Sequence, residues 1–169
     1  MSEAEAYIVF FDTSALVKRY HREVGTDVVA AAFSDHSITR MISDIGVIEC
    51  YSAFARKVRT GDITEEDFRA TIKELAEDIQ NGTIRLTFFG DSDKREAAVL
   101  IEKYGLSRNL RTLDAMQLAV IKRLGAQVIR DVYCADRPFV DLIEAEGFSV
   151  INPEASLETR QDRSNQWGA

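Results

Sequence analysis

Four of the chain's 28 acidic residues stand apart from the rest. Most acids lie in charged runs such as "TEEDFRATIKELAED" and read as solvated helix faces. Asp12, in contrast, is the only charge between Tyr7 and Val17. Glu49 is the only charge in "IGVIECYSAFA", and Asp114 the only one in "TLDAMQLAVI". Asp136 directly follows the apolar run "VYCA". A carboxylate in a segment that should bury itself is costly unless something compensates it. Each has an ordinary explanation. Asp12 and Asp136 suit turns or caps after strands, Asp114 suits the first turn of a helix, and Glu49 suits a half-exposed helix face. Together they suggest chemistry. Four converging carboxylates repel one another, and without a cation at least one should hold a proton. With a hard divalent ion the same grouping becomes favourable. Mg²⁺ or Mn²⁺ takes oxygen ligands and keeps waters, which suits in-line attack of an activated water on a phosphodiester.

The elements that must position these acids follow from periodicity and punctuation. Tyr7 to Phe11 reads as a buried parallel strand, and Thr13 or Ser14 can cap the helix after it. Helices are expected from Val24 to Phe33 and, capped by Ser43 or Asp44, to about Arg59. Thr64 and Asp67 resemble a capping box for a helix to about Gln80. Ser92 or Asp93 opens another to about Tyr104, and further helices span Thr112–Leu124 and Arg137–Glu146. Strands are expected at Ser37–Ile42, Thr83–Phe89, Gln127–Cys134 and Phe148–Ile151. This alternation predicts a three-layer α/β/α sandwich around a mostly parallel sheet. Asp12 and Asp136 then fall at carboxyl ends of strands, where open α/β sheets build their sites. Glu49 and Asp114, near helix starts, can point to the same end.

The 169 residues fit one domain, residues 1–153, with a polar tail over 154–169. A hydrophobic fraction of 46% is ordinary for a soluble protein. No apolar run reaches membrane-span length, and "MSEAEAY" lacks a signal-peptide pattern, so a cytoplasmic protein without membrane contact is expected. Cys50 and Cys134 fit no metal or redox spacing and read as buried thiols; His21 and His36 read as surface residues. A net charge of −7 argues against a protein that coats nucleic acid, but not against a nuclease. Lys18, Arg19, Arg22, Arg108, Arg111 and Arg137 flank the acids. They are either ordinary solvated charges or grips for phosphates beside a scissile bond.

At this point the sequence resembles the PIN-domain ribonucleases, and among them the VapC-type toxins of prokaryotic toxin–antitoxin pairs. "FFDTSALVKRY" is similar to the opening motif with Asp12, and "VIECYSAFARKVRTG" to the second with Glu49. "LRTLDAMQLAVIKRLGA" is similar to the third with Asp114, and "YCADRPFVDLIEAEGFSVINP" to the fourth with Asp136. Asp141 competes for the fourth position but belongs on a solvent face. The resemblance implies a PIN-like fold and RNA cleavage with Mg²⁺ or Mn²⁺ held by Asp12, Glu49, Asp114 and Asp136. It also implies a homodimer and a small VapB-type antitoxin as partner. A housekeeping RNA-processing nuclease of the same family is the alternative.

Two other classes are weaker. Haloacid-dehalogenase-type phosphatases also place a nucleophilic aspartate after the first strand, but they need a second Asp two positions on, where this chain has Ser14. A metal-free binding scaffold has no need of all four acids. Assembly is a separate expectation. Ile45, Val47, Ile48, Tyr51, Phe54 and Val58 make the helix after Ser43 apolar nearly all round. The next helix, with Phe68, Ile72, Leu75 and Ile79, either shields that surface as a hairpin or leaves part of it for a dimer.

Overall fold

The structure, a computed structural model, describes residues 7–155. Its first strand, β1 (Tyr7–Phe11), explains the layering. Side chains alternate across a strand. Val9 and Phe11 accordingly join one apolar cluster and Phe10 the other, all three essentially inaccessible to solvent. Among the described residues five parallel strands pair in the order β3-β2-β1-β4-β5. These are β2 (Ile38–Ser43), β3 (Ile84–Thr87), β4 (Ile129–Tyr133) and β5 (Val150–Ile151) with β1 at the centre.

Helices cover both faces. On the Phe11 face lie α1 (Thr13–Tyr20), α2 (Thr26–Ser34), α3 (Asp44–Thr60) and α4 (Glu65–Gln80). On the Phe10 face lie α5 (Asp91–Tyr104), α6 (Thr112–Leu124) and α7 (Arg137–Ala145). The chain winds outward through β1, β2 and β3 with helices on one face. It then returns to β4 and β5 with helices on the other. The order therefore reverses between β1 and β4, so the carboxyl ends of those two strands mark the switch point where open α/β sheets hold ligands.

Element boundaries shift where local chemistry overrides periodicity. The second helix starts at Thr26, not Val24, because Gly25 adopts φ +91° against Pro153, whose carbonyl oxygen would lie 2.7 Å from an added Cβ. The third strand is shorter than Thr83–Phe89, since Phe89 N–H leaves the ladder and donates to Asp44 Oδ1 at 2.9 Å. The fourth is trimmed to Ile129–Tyr133. The fifth helix opens at Asp91, where Asp93 accepts from the Gly90 N–H at 2.8 Å. The capping box of Thr64 and Asp67 forms as expected. The tail after Glu154 and Ala155 lies outside the described residues; Glu154 itself accepts from Lys18 Nζ at 2.6 Å.

Candidate active site

The four isolated acids come to the carboxyl edge by three kinds of placement. Asp12 follows β1 and Asp136 follows β4, each as the N-cap of the next helix. Asp12, rather than Thr13 or Ser14, caps α1. Its Oδ2 accepts from Ser14 N–H at 2.9 Å and also from the Ser14 hydroxyl. Asp136 caps α7 by accepting from Phe139 N–H at 3.4 Å. The capping explanation of both residues therefore holds, and it does not compete with a role in the site. A capping carboxylate has a second oxygen, which on Asp12 has no donor among the described residues and on Asp136 accepts from Arg111. Glu49 sits in the second turn of α3 and Asp114 in the first turn of α6, where the positive helix end favours a carboxylate.

Each acid is held by named donors. Thr13 Oγ1 donates to Glu49 Oε2 at 3.3 Å, and Gln117 Nε2 donates to the same oxygen. Gln117 is in turn fixed by the Ser43 hydroxyl, which donates to its Oε1 at 2.6 Å. Arg111 Nε donates to Asp114 Oδ2 at 3.0 Å, and Arg111 Nη2 donates to Asp136 Oδ2 at 2.7 Å. The Cys134 thiol lies 3.7 Å from Asp12 Oδ2. Among the described residues, the donors to Asp12, Glu49 and Asp114 all reach one oxygen of each carboxylate, leaving Oδ1, Oε1 and Oδ1 without a donor.

Burial and mutual repulsion set the electrostatics. Asp12 is 7% exposed, and burial pushes its pKa up against the pull of the Ser14 bonds, with Asp114 and Asp136 pushing further. Burial likewise raises Glu49. Gln117 and Thr13 oppose that rise, and the charges of Asp12 and Asp114 add to it. Burial raises Asp114, Arg111 lowers it, and Asp136 raises it again. The same surroundings push the Cys134 thiol well above its ordinary range, so it is no nucleophile, and burial lifts Cys50 to about 12.

The four acids are thus close enough to perturb one another, yet they do not form a ready-made ligand cage. Among the described residues no three His, Cys, Asp or Glu side chains are placed to hold a metal ion. Like charges spread apart when nothing offsets them, and Arg111 pulls two of the acids towards itself. The donor set still suits a hard divalent cation. It is all carboxylate, and three of its members hold a free oxygen; burial raises the pKa of each of those three, and the charges of neighbouring acids add to the rise.

Sequence reasoning missed Gln117, which is 1% exposed and sits on the buried face of α6. Its signal was a lone amide in "TLDAMQLAVI", three residues after Asp114 and so on the same helix face. The flanking cations divide. Lys18 is 2% exposed, bound to Glu23 at 2.9 Å and Glu154 at 2.6 Å, and unavailable to a ligand. Arg19 pairs with Asp78 and lies over the Phe33 ring. Arg108 lies over Tyr104, and Arg22 and Arg137 are exposed. Asp141 is exposed, as expected. Ser14 donates to Asp12 where a phosphatase would need a general acid, which removes support for the aspartyl-nucleophile alternative.

Comparisons with known proteins agree with this architecture. No curated protein gives a significant match. Among solved structures, the chain is similar to Mycobacterium tuberculosis VapC20, a sarcin-ricin loop cleaving toxin, at a TM-score of 0.65 and 17% identity, covering 86% of this chain and 99% of that one. It is similar to FitAcB from Neisseria gonorrhoeae at a TM-score of 0.63 and 17% identity, covering 86% and 97%. It is also similar to a toxin–antitoxin complex from Klebsiella pneumoniae at a TM-score of 0.57 and 14% identity, again covering 86% and 97%. At these identities the likeness establishes the fold. The sequence profile of the PIN domain matches residues 9–132, which span Asp12, Glu49 and Asp114, and the chain belongs to the PIN-domain family.

Proposed function

We propose that the protein is a divalent-metal-dependent ribonuclease and the toxin of a VapBC-type toxin–antitoxin pair. The observation that carries this reading is the set of three half-buried or buried carboxylates, Asp12, Glu49 and Asp114, each with one oxygen held and one free at the carboxyl edge of the sheet. Those free oxygens, with Asp136 at the rim, would hold Mg²⁺ or Mn²⁺. When bound, the ion would activate a water and offset charge building on the phosphate. The chain's own residues do the rest. Ser14 fixes the Asp12 carboxylate from two donors, so its free oxygen points one way. Thr13 and Gln117 do the same for Glu49. The toxin assignment, with RNA as substrate and a VapB-type antitoxin as partner, is supported by the likeness to the VapC20 toxin and to the Klebsiella pneumoniae toxin–antitoxin complex. The test is cleavage of an RNA panel with Mg²⁺, with Ca²⁺, and in chelator. Cleavage in Mg²⁺ alone supports the reading, and full cleavage in excess chelator overturns it.

One observation favours a second reading, a metal-free PIN scaffold: Arg111 already neutralises Asp114 and Asp136. Calorimetric titration with Mn²⁺ separates the two, since a scaffold of that kind takes up no ion.

We also propose a cytoplasmic location and a homodimer. Among the described residues no helix is long and apolar enough to cross a membrane, which fits the proposed cytoplasmic location. The α3/α4 hairpin buries Phe54 and Leu75 but leaves Ile48 70% and Tyr51 42% exposed beside a groove lined by Val47, Leu75, Ala76 and Ile79. Self-shielding is therefore incomplete, and we assign the remaining surface to a homodimer.

A further inference from the structure

We propose that Arg111 is an exchangeable counter-ion. It neutralises Asp114 and Asp136 while no divalent cation is bound, releases them when the cation arrives, and then engages a phosphate of the RNA. This rests on the nuclease reading above and adds a specific role for one residue.

Among the described residues Arg111 is the only cation paired with any of the four acids. It bridges two of them from one planar group, Nε to Asp114 at 3.0 Å and Nη2 to Asp136 at 2.7 Å. The guanidinium therefore bridges the same two carboxylates that a shared cation would have to bridge. Like charges cannot both stay there. Which one leaves follows from exposure. The Arg111 side chain is 64% exposed, whereas the acids are 21% and 29% exposed. Ion pairs of so exposed a group are screened and hold it weakly. A divalent ion brings twice the charge and can also use the free oxygens of Asp12, Glu49 and Asp114.

The backbone allows the exchange without rebuilding the loop. Leu110, one residue before, is 7% exposed and packs in the core cluster of α5, α6 and α7. Thr112, one residue after, begins α6. Arg111 itself is the N-cap residue in extended conformation, and its side chain makes no cap bond. The main chain is thus pinned on both sides and only the side chain needs to rotate. A released guanidinium beside the cation site has the fork that matches a phosphate. Of the other flanking cations, Lys18 is buried and Arg19 is committed to Asp78.

The experiment measures binding with the full chain, at a position exposed enough for the variants to fold. Isothermal titration with Mn²⁺ compares wild type, Arg111→Ala and Arg111→Lys. Anisotropy of a fluorescein-labelled RNA oligonucleotide in Ca²⁺ compares the same three. Arg111→Ala is expected to bind Mn²⁺ on the order of tenfold more tightly, yet RNA several-fold more weakly, with Arg111→Lys between. A residue with only a structural role would weaken both together. Wild type that binds Mn²⁺ with Arg111→Ala no tighter overturns the exchange but leaves the nuclease reading standing. Unchanged RNA affinity in Arg111→Ala overturns the phosphate contact. Absence of Mn²⁺ binding in all three proteins overturns the metal reading, and the exchange with it.

Discussion

The side-chain amide of Gln117 donates to the Glu49 carboxylate while its carbonyl accepts from the Ser43 hydroxyl. One buried residue thus ties β2, α3 and α6 together and orients an acid of the site. Gly46 makes room for it, since an added Cβ there would lie 3.3 Å from Gln117 Nε2 and 3.4 Å from Ser43 Oγ. Replacing Gln117 by Ala leaves both Glu49 and Ser43 short of a partner in a buried place. The expected cost is about 1–3 kcal/mol of stability by urea denaturation, with RNA cleavage reduced about tenfold or more. Gly46→Ala should keep most of the stability, because Ala suits a helix better, but should lower cleavage by displacing the amide. Full cleavage by both variants would show that Glu49 needs no such support.

Asp12→Asn tests the cost of gathering charge. Asn retains an oxygen for the Ser14 donors, so the cap survives. It removes a buried charge whose pKa is raised first by burial and then by Asp114 and Asp136. The metal-free variant should gain on the order of 1 kcal/mol at neutral pH while cleavage falls by about a hundredfold or more. Asp114→Asn should also abolish cleavage but gain less, because it strands one arm of Arg111. Chemical denaturation in chelator, alongside a cleavage assay, checks the order. Asp12→Asn less stable than wild type would count against the repulsion argument.

The same three raised carboxylates predict opposite pH responses for folding and for metal binding. Asp12 and Asp114 start from 3.8 and Glu49 from 4.5, and all move up on folding. Their native forms hold protons that the unfolded chain has lost. The stability they contribute is therefore present below the unfolded values and lost as pH rises through the raised ones. A divalent cation must displace those protons, so its affinity should rise through that same window and be accompanied by proton release. Calorimetry with Mn²⁺ at about pH 5 and about pH 7.5, in two buffers of different ionisation enthalpy, measures both. Equal affinity and no proton release would mean that the ion does not bind these acids.

The fold was legible because its signals are local. The apolar run "YIVFF", the isolated acids and the caps at Ser43 and Thr64 each act over a few residues and agree with one another. The losses came where a distant contact decides. Gly25 delays α2 because Pro153 lies against it, some 130 residues away in sequence. Asp12, rather than Thr13 or Ser14, is the cap: it accepts from Ser14 N–H, while Thr13 donates to Glu49 on α3. Lys18 suited either a solvated charge or a phosphate grip, and it is neither, because Glu23 and Glu154 enclose it. The positions of the acids were readable from their apolar neighbours. Their partners Arg111 and Gln117 were not, since pairing depends on which helix ends meet at the carboxyl edge of the sheet.

Away from the site, Glu146 should matter most to acid stability. It is 7% exposed and accepts from Tyr104, Lys103 at 2.6 Å and Lys122 at 2.8 Å. Burial opposes these partners, which nevertheless carry its pKa from 4.5 down to about 2. A depressed acid contributes stability that is present above its unfolded value and lost as pH falls towards the folded one. Glu146→Gln should cost about 2 kcal/mol at neutral pH, allowing for screening of the more exposed Lys103. It should also flatten the stability profile between pH 4.5 and about 2. Denaturation midpoints at neutral and acid pH check this. Equal loss at both would assign the effect to packing rather than to the ionised carboxylate.

The proposed homodimer would form through the outer face of α3. Phe54 and Cys50 point inward and are inaccessible to solvent, yet Ile48, two residues before Cys50, is 70% exposed and Tyr51 is 42% exposed. The hairpin partner α4 supplies Leu75, Ala76 and Ile79 to the groove between them without covering either residue. Apolar side chains grouped in this way on a helix face lose contact with water most simply by pairing with the same face of a second copy about a two-fold axis. Light scattering at micromolar concentration should therefore give the mass of a dimer, and Ile48→Asp should convert it to a monomer. The substituted position is too exposed to upset the core, so the variant's thermal midpoint, measured at a concentration where both proteins are monomeric, should match wild type. A wild-type monomer whose mass does not change as concentration rises would mean that the hairpin is sufficient cover for itself.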